Sequence, residues 1–216
     1  MTYTPPNLLS VSDRMISAVD NALRTVWAQP RVARPCPTVA GEQTHLEPAD
    51  KAASGALMRV NHVGEICAQA LYSAQALVTR DAALRQHFEH AVDEETTHLA
   101  WTAQRLKELG ARPSLLNPLW YAGAFGIGLV AGRLGDRWSL GFVVETENQV
   151  EAHLADHLNR LPPTDHASRA IVAQMQADEA SHAVQAREKG AAELPAAARH
   201  LMRAAAKVMT TVAHRI

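Results

Sequence analysis

Leu84, Phe88, Ala91, Glu95, His98, Thr102, Leu106 and Leu109 follow one another at steps of three and four, which puts them on one face of a helix. Most of that stripe is apolar and its centre is not. A second stripe repeats the arrangement: Ser168, Val172, Met175, Glu179, His182 and Ala186. A third, Leu140, Val143, Glu147, Val150, Leu154, Leu158 and Leu161, carries a single acid. The stripe around Glu65 is looser, with Met58, Ala68 and Tyr72.

This periodicity predicts helices near residues 11–28, 50–79, 82–109, 114–134, 138–161, 165–190 and 195–214. The breaks between them carry their own signals. Asp81 suits a helix N-cap, and Gly110 with Pro113 forms a stop. Pro162 and Pro163 end a helix, after which Thr164 or Asp165 can begin the next. Prolines at 5, 6, 30, 35 and 37 make the first 50 residues a partly irregular extension around one short helix, with a single domain over 51–216. Alanine is abundant and β-branched runs are scarce, so the chain is all-α.

Composition adds exclusions. Within 216 residues the charge is nearly balanced, at −1, so the basic face of a nucleic-acid binder is missing. Cys36 and Cys67 are too few and too far apart for a disulfide framework or a cysteine zinc site, which favours a reducing cytoplasm. The opening MTYTPPNLLSVSDRM lacks the charged and apolar regions of a signal peptide.

DEETTHLA (93–100) places Glu95 three residues before His98, and DEASHAVQ (178–185) places Glu179 three before His182. Glu-x-x-His alone is common on wet helical faces. Here both pairs sit on apolar stripes, where unpaired burial is costly. Each has an acid upstream: Glu65 in RVNHVGEICAQALY and Glu147 in GFVVETENQVEAHL. In an antiparallel hairpin, two residues lie at one depth when the turn falls midway between them. The midpoint of 65 and 95 is residue 80, and that of 147 and 179 is residue 163; both are helix breaks. Each acid then lies roughly 23 Å from its turn, at about 1.5 Å per residue.

Two such hairpins make a ferritin-like four-helix bundle whose core holds Glu65, Glu95, His98, Glu147, Glu179 and His182. Four carboxylates offset the charge of two divalent ions, and oxygen with imidazole donors suits iron or manganese. Glu95 and Glu179 are the bridging ligands by analogy. Glu94 and Asp178 either support the ligand histidines or face solvent. His153 can stand behind Glu147, while His62, His87, His90 and His157 read as surface or satisfied polar positions. Cys67 reads as a small packed residue.

From Pro113 to Gly132 no residue is charged. The length is marginal for a membrane span, and Pro118 and several glycines interrupt it. It suits a helix in the membrane interface or over a hydrophobic channel, or a buried crossover between the hairpins; the two coexist. The last stretch has Arg199, Arg203, Lys207 and Arg215 with no acid after Glu193. It can rest on anionic lipid or pack as a solvated amphipathic helix.

NHVGE-x6-Y (61–72), the two Glu-x-x-His pairs, RPSLLNPLW (112–120) and VETENQVEAHL (144–154) resemble the demethoxyubiquinone hydroxylase family of ubiquinone biosynthesis. The resemblance implies a ferritin-like fold with an additional apolar crossover helix and a C-terminal amphipathic helix. It implies two iron ions on the same six ligands and no further catalytic residue. The implied reaction is O2-dependent hydroxylation of the ring of 3-demethoxyubiquinol. The implied partners are that polyprenyl benzoquinol and dioxygen, with a biosynthetic protein complex or a homo-oligomer as open alternatives. Peripheral attachment to the cytoplasmic face of the bacterial cell membrane follows. Two departures stand out. The first 50 residues have no counterpart in the shorter animal enzymes. Leu154 stands where those have Tyr, so a relay through that tyrosine is not carried over.

Two other functions fit the same ligands: a peroxide-handling or otherwise different di-metal enzyme, and a non-catalytic iron- or quinone-binding accessory protein. The first of these does not need the uncharged stretch over 113–132. The reductant stays open, because no Gly-x-Gly-x-x-Gly fingerprint is present. Electrons come from a nicotinamide bound without that motif, from a partner, or from the quinol.

Overall fold

The computed structural model describes residues 10–30, 34–38 and 45–216. Among them it has seven helices and no strand: α1 (Val11–Trp27), α2 (Pro48–Val78), α3 (Ala82–Glu108), α4 (Asn117–Arg133), α5 (Asp136–Arg160), α6 (His166–Glu188) and α7 (Ala196–Ala213). Each lies within three residues of its expected bounds. The largest offset is the start of α4, where a turn precedes Asn117 and the Ser114 hydroxyl accepts from the Leu116 N–H. Pro118 then sits in the first helical turn, where its missing N–H costs nothing.

Local chemistry sets the other ends. The Asp81 carboxylate accepts from the N–H groups of Ala83 and Leu84, and Asp165 accepts from that of Ser168. Ser10 and Asp13 form a capping box at α1. Gly110 takes φ +64° after α3 and Gly135 takes φ +108° between α4 and α5, values that other residues rarely adopt.

α2 with α3 and α5 with α6 form two hairpins, and α3 meets α6 while α2 meets α5, closing a four-helix bundle. The hairpins point opposite ways, so the α2–α3 turn lies at one end and the α5–α6 turn at the other. An apolar plug fills each end. One contains Met58, Trp101, Leu106, Leu154, Ile171 and Met175; the other contains Leu84, Phe88, Ala91, Leu140 and Val143. Each fully buried large side chain there stabilises the fold by about 1.5–3 kcal/mol. The polar centre lies between these plugs. Leu154 belongs to the first plug and is 1 % exposed.

The looseness of the α2 stripe has a packing cause. α2 packs against α1, α3, α4, α5 and α7, so it is buried on more than one side. A helix of that kind shows little amphipathic contrast.

α4 is the crossover between the hairpins that residues 113–132 were expected to form. Tyr121, Ala124, Gly128, Ala131 and Gly132 are buried, and α4 contacts α2 and α5 as a crossover. A Cβ on Gly128 would come within 2.8 Å of the Leu71 carbonyl oxygen, and one on Gly132 within 2.3 Å of Val78 Cγ2. Only glycine allows that approach. The opposite face leaves Leu119, Ile127 and Val130 bare. No helix among the described residues is long and apolar enough to cross a membrane. α1 likewise seats Ala22 and Val26 on Ile66, Ala70 and Tyr121 and exposes Met15, Ile16, Val19, Leu23 and Trp27. α7 packs Met209 and Ala213 near Val60, Val63 and Trp120 and exposes Leu201 and Val208.

Candidate metal centre

α2 contributes Glu65, α3 contributes Glu95 and His98, α5 contributes Glu147, and α6 contributes Glu179 and His182. The structure brings all six together in the bundle centre. Glu95 and His98 are 0 % exposed, and His182, the most open of the six, is 8 % exposed. Potential ligand atoms of Glu65, Glu95, His98 and Glu179 lie within 4.8 Å of one another, as do those of Glu147, Glu179 and His182.

The two imidazoles present the same nitrogen to the centre. His98 Nδ1 lies 3.2 Å from Glu95 Oε2, 3.4 Å from Glu179 Oε1 and 3.6 Å from Glu65 Oε2. His182 Nδ1 lies 3.3 Å from Glu95 Oε1 and 3.3 Å from Glu179 Oε2. Glu95 and Glu179 therefore each direct one oxygen to each histidine. Glu65 is on the His98 side. Glu147 is grouped with Glu179 and His182, and its Oε1 accepts from the Tyr72 hydroxyl at 2.5 Å.

The outer nitrogens are held crosswise. His98 Nε2 lies 2.9 Å from Asp178 Oδ2, and His182 Nε2 lies 3.1 Å from Glu94 Oε2. The acid preceding each Glu-x-x-His thus supports the histidine of the other copy, which settles Glu94 and Asp178 as partners of the site. Such a bond fixes the tautomer, leaving Nδ1 free to ligate. His153 has no such role here: its ring lies tilted against that of His157, with 4.0 Å between centroids. His157 Nδ1 bonds Asn61 Oδ1 at 2.7 Å, and His62 Nδ1 bonds Thr102 Oγ1 at 3.1 Å. Burial lowers the pKa of His62 to about 4 and of His157 to about 3, so both are neutral, satisfied core groups. Burial pushes the Cys67 thiol up to about 12, as for an inert packed side chain.

The electrostatics suit a cation. Burial raises the Glu65 and Glu147 carboxyls well above their usual range. Burial acts the same way on Glu95 and Glu179, but hydrogen bonding to His182 and His98 outweighs it and pulls both below normal. His182 is disfavoured as a cation by burial, yet hydrogen bonds and attraction from Glu179 and Glu95 prevail and raise it to about 12. His98 rises by the same balance, with Asp178 its largest favourable partner. Protons thus compensate the acids without a metal, yet Glu95 Oε1, buried and 3.3 Å from His182 Nδ1, makes no hydrogen bond of good geometry. That orphaned oxygen and the oxygen-rich donor set fit a hard or borderline divalent ion.

Metal ions must displace these protons. The histidine pKa values are raised, so the competing protons are fully bound below neutrality and leave only as pH rises. Metal affinity is therefore expected to increase from about pH 6 to about pH 8, with protons released on loading. Titration calorimetry in buffers of different ionisation enthalpy reads this directly, and a pH-independent affinity would contradict it.

Two residues of the site were given no role from the sequence. Tyr72 was visible only as part of a stripe and a motif. Arg34, in the irregular extension, lies 2.6 Å from Asp178 Oδ2. No periodicity reaches it.

An all-helical bundle enclosing four glutamates and two histidines that could hold metal defines the ferritin-like carboxylate class. Residues 52–213 match the family model described as "Ubiquinone biosynthesis protein COQ7". The chain belongs to that family. It is 71% identical over 204 residues to the 3-demethoxyubiquinol 3-hydroxylase of Polaromonas naphthalenivorans (strain CJ2), covering 94% of this chain and 98% of the relative. It is 66% identical over 211 residues to the protein of that name from Albidiferax ferrireducens, covering 98% and 100%. For the one from Variovorax paradoxus (strain S110) the identity is 63% over 209 residues, covering 97% and 100%.

Proposed function

We propose that this chain is a di-iron monooxygenase that hydroxylates the ring of 3-demethoxyubiquinol with dioxygen in ubiquinone biosynthesis. Its ligands in this reading are Glu65, Glu95, His98, Glu147, Glu179 and His182, with Glu95 and Glu179 bridging. The observation that carries the ligand assignment is the division of both bridging carboxylates between the two imidazoles. The reaction is supported by family membership and by relatives at high identity over nearly their whole length. Iron held by these residues would pass electrons from a reductant to dioxygen, and the protein supplies orientation and a dry site. Asp178 and Glu94 hold the imidazole tautomers, Tyr72 holds Glu147, and the two apolar plugs exclude water from the ends of the bundle.

A crevice between α2 and α5 suits the approach of the ring. It is lined by Ala68, Leu71, Phe142, Val143 and Thr146 and ends at Tyr72 and Glu147. Its volume is only ≈ 10 Å³, room for about one water, so Phe142 or its neighbours must move to admit a quinol. Leu71 also meets Gly128 on the buried face of α4, which puts the crevice beside that helix, whose other face is bare and apolar. A polyprenyl tail would then enter from a lipid surface under α4, with the cations of α7 near anionic headgroups. This reading makes the protein peripheral on the cytoplasmic face of the cell membrane. A larger cavity of ≈ 230 Å³ between α1, α2 and α3 mixes Arg14, Glu89 and Asp93 with Ala76, Leu77 and Val92, and none of the six ligand-type residues lines it.

The test is complementation of a bacterial strain lacking this hydroxylation. Mass spectrometry of its quinones should show ubiquinone restored, the demethoxy precursor depleted, and the protein recovered with membranes. Persistent precursor despite iron-loaded, folded protein would overturn the reaction, and recovery only in the soluble fraction would overturn the attachment.

A further inference from the structure

We infer that Arg34 is a positioning residue for one of the two metal positions: it holds Asp178 against His98 from outside the family-matched residues 52–213. This rests on the ligand assignment proposed above. Arg34 Nη2 lies 2.6 Å from Asp178 Oδ2, the same oxygen that stands 2.9 Å from His98 Nε2. The guanidinium also sits 5.1 Å over the Trp101 ring. The Trp101 indole N–H in turn donates to the Arg34 carbonyl at 3.2 Å, and its ring lies 5.4 Å from that of His98. Residue 34 is thus tied to the site by both its side chain and its backbone. Gln174 donates to the second oxygen of Asp178 at 2.9 Å.

The other half of the centre lacks this support. His182 is held by Glu94, whose further ion-pair contact among the described residues is His90, 3.5 Å away and exposed. The Glu94 side chain is 38% exposed against 18% for Asp178. The carboxylate behind a ligand histidine sets its ring orientation and its strength as a donor. A charge-assisted bond, with the guanidinium stacked on an aromatic ring, restricts Asp178 as no contact among the described residues restricts Glu94. The two metal positions, matched in ligand type, are therefore unequal: the His98 position is preorganised and the His182 position adjusts.

Metal-free, full-length protein is titrated with Co(II), read by visible absorption, in parallel with thermal unfolding. The proteins are wild type, Arg34→Ala, Arg34→Lys, Asp178→Asn and the Arg34→Ala/Asp178→Asn double variant. Wild type should bind two equivalents. Arg34→Ala should weaken one of them about ten-fold and alter its absorption while sparing the other. Arg34→Lys should recover part of the loss, and Arg34→Ala should add nothing to Asp178→Asn. Arg34 is overturned as a positioning residue if Arg34→Ala titrates like wild type, whatever its melting temperature. It is also overturned if the effect is undiminished beside Asp178→Asn. Wild type that takes up no metal overturns the ligand assignment, and this inference with it.

Discussion

Glu179→Ala is expected to bind no metal pair and to hydroxylate no quinol while remaining as helical as wild type. Glu179 sends an oxygen to each imidazole and is 2 % exposed, so under the proposed assignment its loss removes a shared ligand from both halves at once. Changing a residue that merely supports a ligand costs roughly 10–100-fold in affinity, and removing a shared ligand costs more. The fold should survive, because helix packing depends on the apolar plugs at either end of the centre. Deleting one of four clustered carboxylates also relieves like-charge repulsion. Far-UV circular dichroism, metal analysis and quinone analysis are the readouts. Full hydroxylase activity in the variant would sink the ligand assignment.

The second large effect is on stability. Arg105→Ala should cost about 3–5 kcal/mol, the range for stranding one partner of a buried ion pair. Arg105 on α3 donates to Asp165 Oδ1 at 2.8 Å and to Ser168 Oγ at 2.9 Å, so it ties the first hairpin to the start of α6. Its side chain is 11% exposed and that of Asp165 is 1%. Asp165 also caps α6, so truncation leaves a buried carboxylate at the very point where the helix begins. Burial would raise the Asp165 pKa, but Ser54, the capping bonds with Ser168 and, last, the charge of Arg105 together outweigh burial and depress it. A depressed carboxylate contributes stability above its unfolded pKa and loses it as pH falls through the folded one. The acid-side loss should therefore shrink in the variant. Urea unfolding across pH measures both effects, and a loss below about 1 kcal/mol would show that the pair carries little.

The candidate site was legible because two independent patterns coincided. Glu95, His98, Glu179 and His182 lay on stripes that are otherwise apolar, and the breaks at 80 and 163 fell midway to Glu65 and Glu147. Helix caps were legible at Asp81, Gly110 and Asp165, since each acts on backbone groups within a few residues. The dual use of α4 was partly legible. Its lack of charge suggested an apolar surface, but the choice of buried face waited on how closely Gly128 and Gly132 approach α2.

By itself the sequence determined the helices, their ends to within three residues, the face that α3, α5 and α6 bury and the depth at which six ligand-type side chains lie. These depend on the 3.6-residue period and on bonds within one or two turns, so neighbouring residues suffice. Only the tertiary structure decided that Asp178 supports His98 and Glu94 supports His182 rather than each its own copy. It alone brought Arg34 to Asp178 and the Tyr72 hydroxyl to Glu147. Such pairings are set by the rotation and offset of whole helices. Those follow from the packing of every plug residue together, and no local stretch of chain encodes them.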